Sequence, residues 1–246
     1  GTINEVANGI IETGEDVELG ILPSGTGGDF RRTLNIPHGT REAARALKTA
    51  ATRSIDVGKV TFRDHDDLEI SRYFLNVSSV GLAASIIERV KTTKGANWLP
   101  IAGLRGKASF AISTLQEVIG IEYATIRVRI DDEEERPLNT VNFCVANARY
   151  FGGGMLIAPY AKLDDGLFDV INIGDLSTMK ILLNAHTLYR GTHLNLPEVK
   201  SRLAKRIEIR AAGDTEIHLE TDGELPGKLP AIFEIVPKAL KVRVPV

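Results

Sequence analysis

Apolar residues at Ile3, Val6, Ala7, Ile10 and Ile11 recur at the spacing of one helical face, so the chain predicts an amphipathic helix near its start, closed by Gly14. Leu19-Gly20-Ile21-Leu22-Pro23 is a short apolar run consistent with a buried strand, and it leads into the loop Ser24-Gly25-Thr26-Gly27-Gly28-Asp29-Phe30. A second helix is predicted from Thr40 to about Thr52, with Thr40 as its N-cap. Helix, strand, loop and helix over residues 1–55 form an α/β pattern of the kind that builds parallel sheets.

After Ile55-Asp56-Val57 the period changes from helical to two. Val60-Thr61-Phe62, Leu68 to Val77, Ile126 to Ile130, Val141 to Val145 and Phe168 to Ile173 are strand-like runs separated by charged or glycine-containing turns. Ile207-Glu208-Ile209 is expected to pair with Ile217-His218-Leu219 across Ala211 to Asp214. Turns at this density predict an antiparallel sheet or sandwich. Helical stretches over about 84–119, broken near Pro100, and about 177–190 interrupt it. The fold class is therefore α/β plus all-β, with residues 1–55 in the first part and 56–246 in the second, whose last residues are open to a return to the first.

Composition limits the possible functions. Of 246 residues, 43% are hydrophobic and 25% charged, and no apolar run approaches the ~18 residues of a membrane-spanning helix. Lys and Arg number 30 against 32 Asp and Glu, so bulk charge gives no footprint for nucleic acid and an anionic partner has to be bound locally. A single Cys144 excludes an internal disulfide and a cysteine zinc cage; with no signal-like start, the cytoplasm is the expected compartment. His38, His65, His186, His193 and His218 are not at metal-ligand spacing. The chain opens at Gly1, in what reads as a turn running into a helix, so an upstream segment is expected.

Four segments could carry chemistry. Gly1-Thr2-Ile3-Asn4-Glu5 puts a glycine and a hydroxyl where free helix N–H groups favour a phosphate, although Thr2 also suits a plain N-cap. The glycines around Gly25, Thr26 and Gly28 let main chain approach di- or triphosphate oxygens, or simply make a connecting loop; neither a Walker nor a dinucleotide spacing is present. Asp164-Asp165-Gly166 suits Mg²⁺, which takes one or two carboxylates plus phosphate oxygens, and equally suits a turn. Asp222-Gly223-Glu224 offers a carboxylate to deprotonate a hydroxyl, or a hairpin turn.

Together and in this order, the four segments resemble the diacylglycerol kinase catalytic family, in its bacterial soluble branch, related to sphingosine kinase and distantly to NAD kinase. Gly1-Thr2-Ile3-Asn4-Glu5 matches the end of the family's Gly-Gly-Asp-Gly-Thr-x-Asn-Glu loop, and Leu19 to Thr26 its second nucleotide loop, while Gly28 stands where members usually have Asn. The likeness continues through Ile55-Asp56-Val57-Gly58, Asn76 to Gly81, Asn147 to Gly154, Ala158 to Leu167 and Val236 to Val242. It implies a partial three-layer nucleotide-binding α/β domain followed by an antiparallel β-sandwich, with ATP between them. It further implies nucleotide contacts from Gly1, Thr2, Ile3, Asn4, Gly25 and Thr26, and a Mg²⁺ site at Lys162, Asp165 and Leu167. Glu224 is the implied base, Asp222 its neighbour in catalysis, and Asp29 an acid acting through metal-bound water. Because the acid of the first loop would precede Gly1, residues 1–246 alone are expected to be impaired.

The implied activity is an ATP-dependent lipid kinase of phospholipid metabolism. Non-catalytic nucleotide or lipid binding and a soluble-substrate kinase such as NAD kinase are the other readings. For the membrane side, Glu88 to Lys107 interleaves Arg89, Lys91, Lys94, Arg105 and Lys107 with Trp98, Leu99 and Ile101, suiting transient contact with anionic lipid or a solvated helix pair. The sequence leaves the oligomeric state open, a homodimer included.

Overall fold

The computed structural model describes residues 1–24, 28–92 and 123–245. Helix α1 (Thr2–Thr13) ends at Gly14, whose left-handed φ of 67° lets its N–H close on the Ile10 carbonyl. Ala7 is buried, and Ile3, Ile10 and Ile11 flank it against the core. Val6 departs from the expected stripe and is 45% exposed. It lies about 100° around the helix from Ala7, outside the line of contact.

Strand β1 is only Glu18–Leu19, although Ile21 beyond it is buried. Helix α2 (Asp29–Thr33) and helix α3 (Thr40–Lys48) follow. The N-cap of α3 is Gly39; Thr40 is its first helical residue, and its hydroxyl instead donates to the Pro23 carbonyl at 2.8 Å. The helix stops at Lys48 rather than Thr52 because Ala51 and Thr52 already pair with Val244 and Arg243.

The strands β2 (Ala51–Arg63), β3 (Glu69–Phe74), β4 (Val77–Gly81), β5 (Ala124–Ile130), β6 (Arg136–Thr140), β7 (Asn142–Ala146), β8 (Phe168–Ile173), β9 (Val199–Ala204), β10 (Arg206–Ala211), β11 (His218–Thr221) and β12 (Glu224–Val244) carry the rest. Helix α4 (Leu82–Thr92) follows β4, and helix α5 (Thr178–Arg190) follows β8. Among the described residues the sheet runs β6-β5-β10-β12-β11-β4-β7-β8-β9, with β2 and then β3 branching from β12. Among the described strands only β1 joins in parallel, pairing Glu18 with Lys241 and Leu19 with Val242.

Two strand expectations need correction. The run Leu68 to Val77 splits into β3 and β4, because the Leu75 and Asn76 amides turn to the Asp222 carboxylate. Strands β10 and β11 do not pair; β12 lies between them, with Ile207 opposite Phe233 and Leu219 opposite Gly227. The two-residue turn Asp222-Gly223, with φ of 49° and 87°, forces β11 against β12 and so decides the neighbour.

The sheet curls on itself. Phe74 of β3 stacks on Phe168 of β8 at 5.7 Å between ring centres and meets Phe233 of β12 edge-on at 6.2 Å, although β3 and β8 are distant along the sheet. With Val60, Ile126, Phe143 and Ile207 they fill the sandwich core. A second core joins α1, α2 and α3 to the first half of β2 and the last residues of β12 through Ala7, Phe30, Ala43, Ile55 and Val242. Strands β2 and β12 run through both cores as one paired ladder, so the same two strands carry the helical part and the sandwich. No described helix is long and apolar enough to cross a membrane. Helix α4 falls at the start of the helical stretch expected over 84–119; its remainder, Gly25, Thr26 and the basic side chains from Arg89 to Lys107 lie outside the described residues and side chains.

Candidate functional site

The site grows from a break in the sheet. Where β3 ends and β4 begins, Leu75 and Asn76 point their amides at Asp222, which accepts them at 2.9 Å each and Val77 N–H at 3.3 Å. The Asn4 side chain adds a fourth bond, donating to Asp222 at 2.8 Å and to the Tyr73 carbonyl at 2.9 Å. Asn8 exchanges bonds with both the N–H and the carbonyl of Tyr73. Burial pushes the Asp222 carboxyl upward in pKa, and these donors pull it back. The Asp-Gly turn read from the sequence is thus present, and its acid is the anchor that docks α1 onto the sandwich.

That anchor brings two expected site elements together. Glu224 follows the Asp222-Gly223 turn, so the Asp222–Asn4 bond sets it beside the N-terminal end of α1, where its carboxylate meets the terminal amino group of Gly1. Helix geometry aims the Thr2 and Ile3 N–H groups out of that same end, where the helix dipole favours an anion. Asn4 and Asp222, by contrast, have their polar atoms committed to each other, to the Asn8 side chain and to main chain.

Asp29 stands at the start of α2, on a second wall. One oxygen accepts from Arg32 at 2.6 Å and the other from Gly153 N–H at 2.8 Å. Gly152, Gly153 and Gly154 all take positive φ, so their main chain can fold against α2 in a way other residues would resist. The Arg149 N–H adds a 3.2 Å bond to the Thr33 hydroxyl. Asp29 therefore ties the glycine loop that follows β7 to the start of α2.

Asp165 stands on the loop that precedes β8. One of its oxygens caps Leu167 N–H at 3.1 Å, and it lines a cleft of about 340 Å³ with Lys205, Arg206, Glu234 and Pro237. The loop is held from beneath by Asp56, buried in β2, which accepts from Gly166 N–H at 2.7 Å and Lys238 N–H at 2.8 Å. Burial and the neighbouring Asp165 charge push the Asp169 carboxyl up to about 6. Among the described residues no three His, Cys, Asp or Glu side chains gather into a metal cage. A single loop carboxylate such as Asp165 suits Mg²⁺ better than a cage would, because that hard cation keeps much of its water shell.

Sequence reasoning passed over three structural groups. Asp56 carried a signal, a charge inside the apolar run Ile55-Asp56-Val57, and it becomes the buried clamp on the Asp165 loop. Asn147 donates to the Asp56 and Leu75 carbonyls at 3.0 and 2.9 Å, linking the Asp56 clamp to the Asp222 break. Glu220, in β11, lies wholly inside the protein and carried no such signal.

The chain's relatives match this architecture. Residues 1–60 match the diacylglycerol kinase catalytic domain, and residues 77–244 match the YegS C-terminal NAD kinase beta sandwich-like domain. The protein belongs to the diacylglycerol kinase family. It is 30% identical over 230 residues to a diacylglycerol kinase of Mycobacterium tuberculosis, covering 93% of this chain and 70% of that one. Against a diacylglycerol kinase of Staphylococcus saprophyticus it is 28% identical over 250 residues, covering 100% of this chain and 74% of the relative. The fold matches that of a diacylglycerol kinase from Bacillus anthracis with a TM-score of 0.67 at 20% identity, covering 99% of this chain and 72% of that one.

Proposed function

We propose that this protein is a lipid kinase that transfers the γ-phosphate of ATP to a hydroxyl of diacylglycerol or a related lipid at a membrane surface. The carrying observation is the hydrogen bond from Asn4, in the first turn of α1, to Asp222, which brings Glu224, two residues further on, to the anion-favouring end of that helix. In this reading the N–H groups of Thr2 and Ile3, with the main chain of Gly1, Gly25 and Thr26, line the site of the nucleotide phosphates. Asp29 holds the Gly153 loop against the start of α2. Glu224 accepts the proton of the lipid hydroxyl as its oxygen bonds to the γ-phosphorus and the bond to the departing ADP breaks. Phosphoryl transfer depends mainly on alignment and charge stabilisation, which is what a rigid cleft supplies. Mg²⁺, held by Asp165 with Lys162 and Leu167, would supply neutralising charge.

The test incubates the protein with labelled ATP, Mg²⁺ and a panel of diacylglycerol, a sphingoid base, phosphatidylglycerol and NAD. Label in a lipid product, reduced about 10²–10⁴-fold in Glu224→Gln, supports the reading. Label in NAD alone, or undiminished lipid labelling by Glu224→Gln, overturns it.

A further inference from the structure

The hairpin that presents Glu224 is fixed at two points. Asp222 holds one side of its turn to the break between β3 and β4. The other hold is Glu220, 4% exposed, whose Oε1 accepts from Gly223 N–H at 2.7 Å and whose Oε2 accepts from the Ser79 hydroxyl at 2.6 Å. Ser78 strengthens the same corner, donating its hydroxyl to the Glu220 carbonyl at 2.6 Å. We propose that Glu220 is a positioning residue for Glu224: it locks the Gly223 peptide and so sets the direction in which the next residue presents its carboxylate. This rests on the reading of Glu224 as the base.

A carboxylate is an expensive choice for that place. Both of its partners are neutral, and a buried charge without a cation is costly, so a neutral acceptor would hold the turn with less loss of stability. What a carboxylate adds is a hydrogen bond roughly twice as strong as a neutral one, on the peptide that joins the anchor to the base. Cys144 of β7 and Asp222 in the turn act on it electrostatically, while Glu88 of α4, 3.7 Å from His218 of β11, and Glu224 and Lys228 of β12 lie on the elements packed beside its strand. Burial raises Glu220 to about 7, so the strong form of the bond develops across the neutral range.

Steady-state kinetics with labelled ATP and diacylglycerol in mixed micelles test the proposal on Glu220→Leu and Glu220→Gln. The expected result is a kcat about tenfold lower in Glu220→Leu with KM for ATP little changed, as befits an interaction felt in the transition state. Glu220→Gln keeps an acceptor for Gly223 and is expected to recover most of that loss, matching the unsubstituted protein at pH 6 and falling about threefold below it at pH 8. A folded Glu220→Leu with unaltered kcat overturns the proposal. If Glu220→Leu is insoluble, Glu220→Gln decides: a gap that widens from pH 6 to pH 8 supports it, and superimposed profiles overturn it. Glu224→Gln run alongside separates the two ideas, because activity retained there removes the base itself, whereas activity lost there and kept in both Glu220 variants removes only the role of Glu220.

Discussion

The Asn4 side chain lies 2.8 Å from the Asp222 carboxylate, so one hydrogen bond joins the first turn of α1 to a hairpin 218 residues away. Asp222 uses its remaining capacity on the main chain of Leu75, Asn76 and Val77. Substituting Asp222→Ala leaves buried amides without an acceptor and should lower stability by about 2–4 kcal/mol. Asn4→Leu removes the bonds to Asp222 and Tyr73 and should cost about 1–2 kcal/mol. Urea denaturation measures both; a double variant whose loss is smaller than the sum would locate the coupling in this contact.

Asp29 offers a test of the second wall. Its two bonds hold Arg32 and the Gly153 amide, so Asp29→Ala frees a loop of three positive-φ glycines while leaving the cores intact. Amide exchange at Gly153 should then rise at least tenfold, and the affinity for ATP should fall. Unchanged protection at Gly152 to Gly154 would show that the loop is held by other contacts.

Glu220 makes stability depend on pH in a stated direction. Its carboxyl is raised to about 7 in the folded protein by burial, above its unfolded value of 4.5, so folding favours the protonated form. The stability it contributes is fully present below pH 4.5 and is lost as pH rises through 7, a change of about 3 kcal/mol. Glu220→Gln should therefore be more stable than the unsubstituted protein at pH 8, with the difference shrinking toward pH 5. Thermal melts over that range measure it, and a constant difference would contradict burial as the cause.

Much of this was legible in the sequence because it lies in local pattern. The helical stripe with Gly14 behind it gave α1, period-two alternation gave the sheet strands, and the glycine and Asp-Gly segments marked turns. Strand neighbours were not legible: Ile207 and Leu219 look like partners by proximity, and only the two-residue turn at Asp222 explains why β12 separates them. The buried clamps escaped for the same reason. What Asp56, Asn147 and Glu220 do depends on amides and carbonyls far along the chain, and a carboxylate in a strand reads as solvent-facing until the sheet curls over it.

Gly58 tests the packing on which the whole arrangement depends. It lies in β2 opposite Phe74, and a Cβ built there would stand 2.2 Å from the ring of that phenylalanine. Phe74 has no room to retreat, because it is fully buried between Phe168 at 5.7 Å and Phe233 at 6.2 Å. Its strand ends at the break that Asp222 holds, so a displaced ring would push on the Leu75 and Asn76 amides. Gly58→Ala should therefore destabilise the protein by about 1–3 kcal/mol and lower kcat as well. Shrinking the neighbour tests the cause: Phe74→Leu should cost stability in the unsubstituted protein yet recover part of the Gly58→Ala loss when the two are combined. Calorimetric melting of the four proteins completes the cycle, and strictly additive losses would mean that the clash with Phe74 is not what makes glycine necessary at this position.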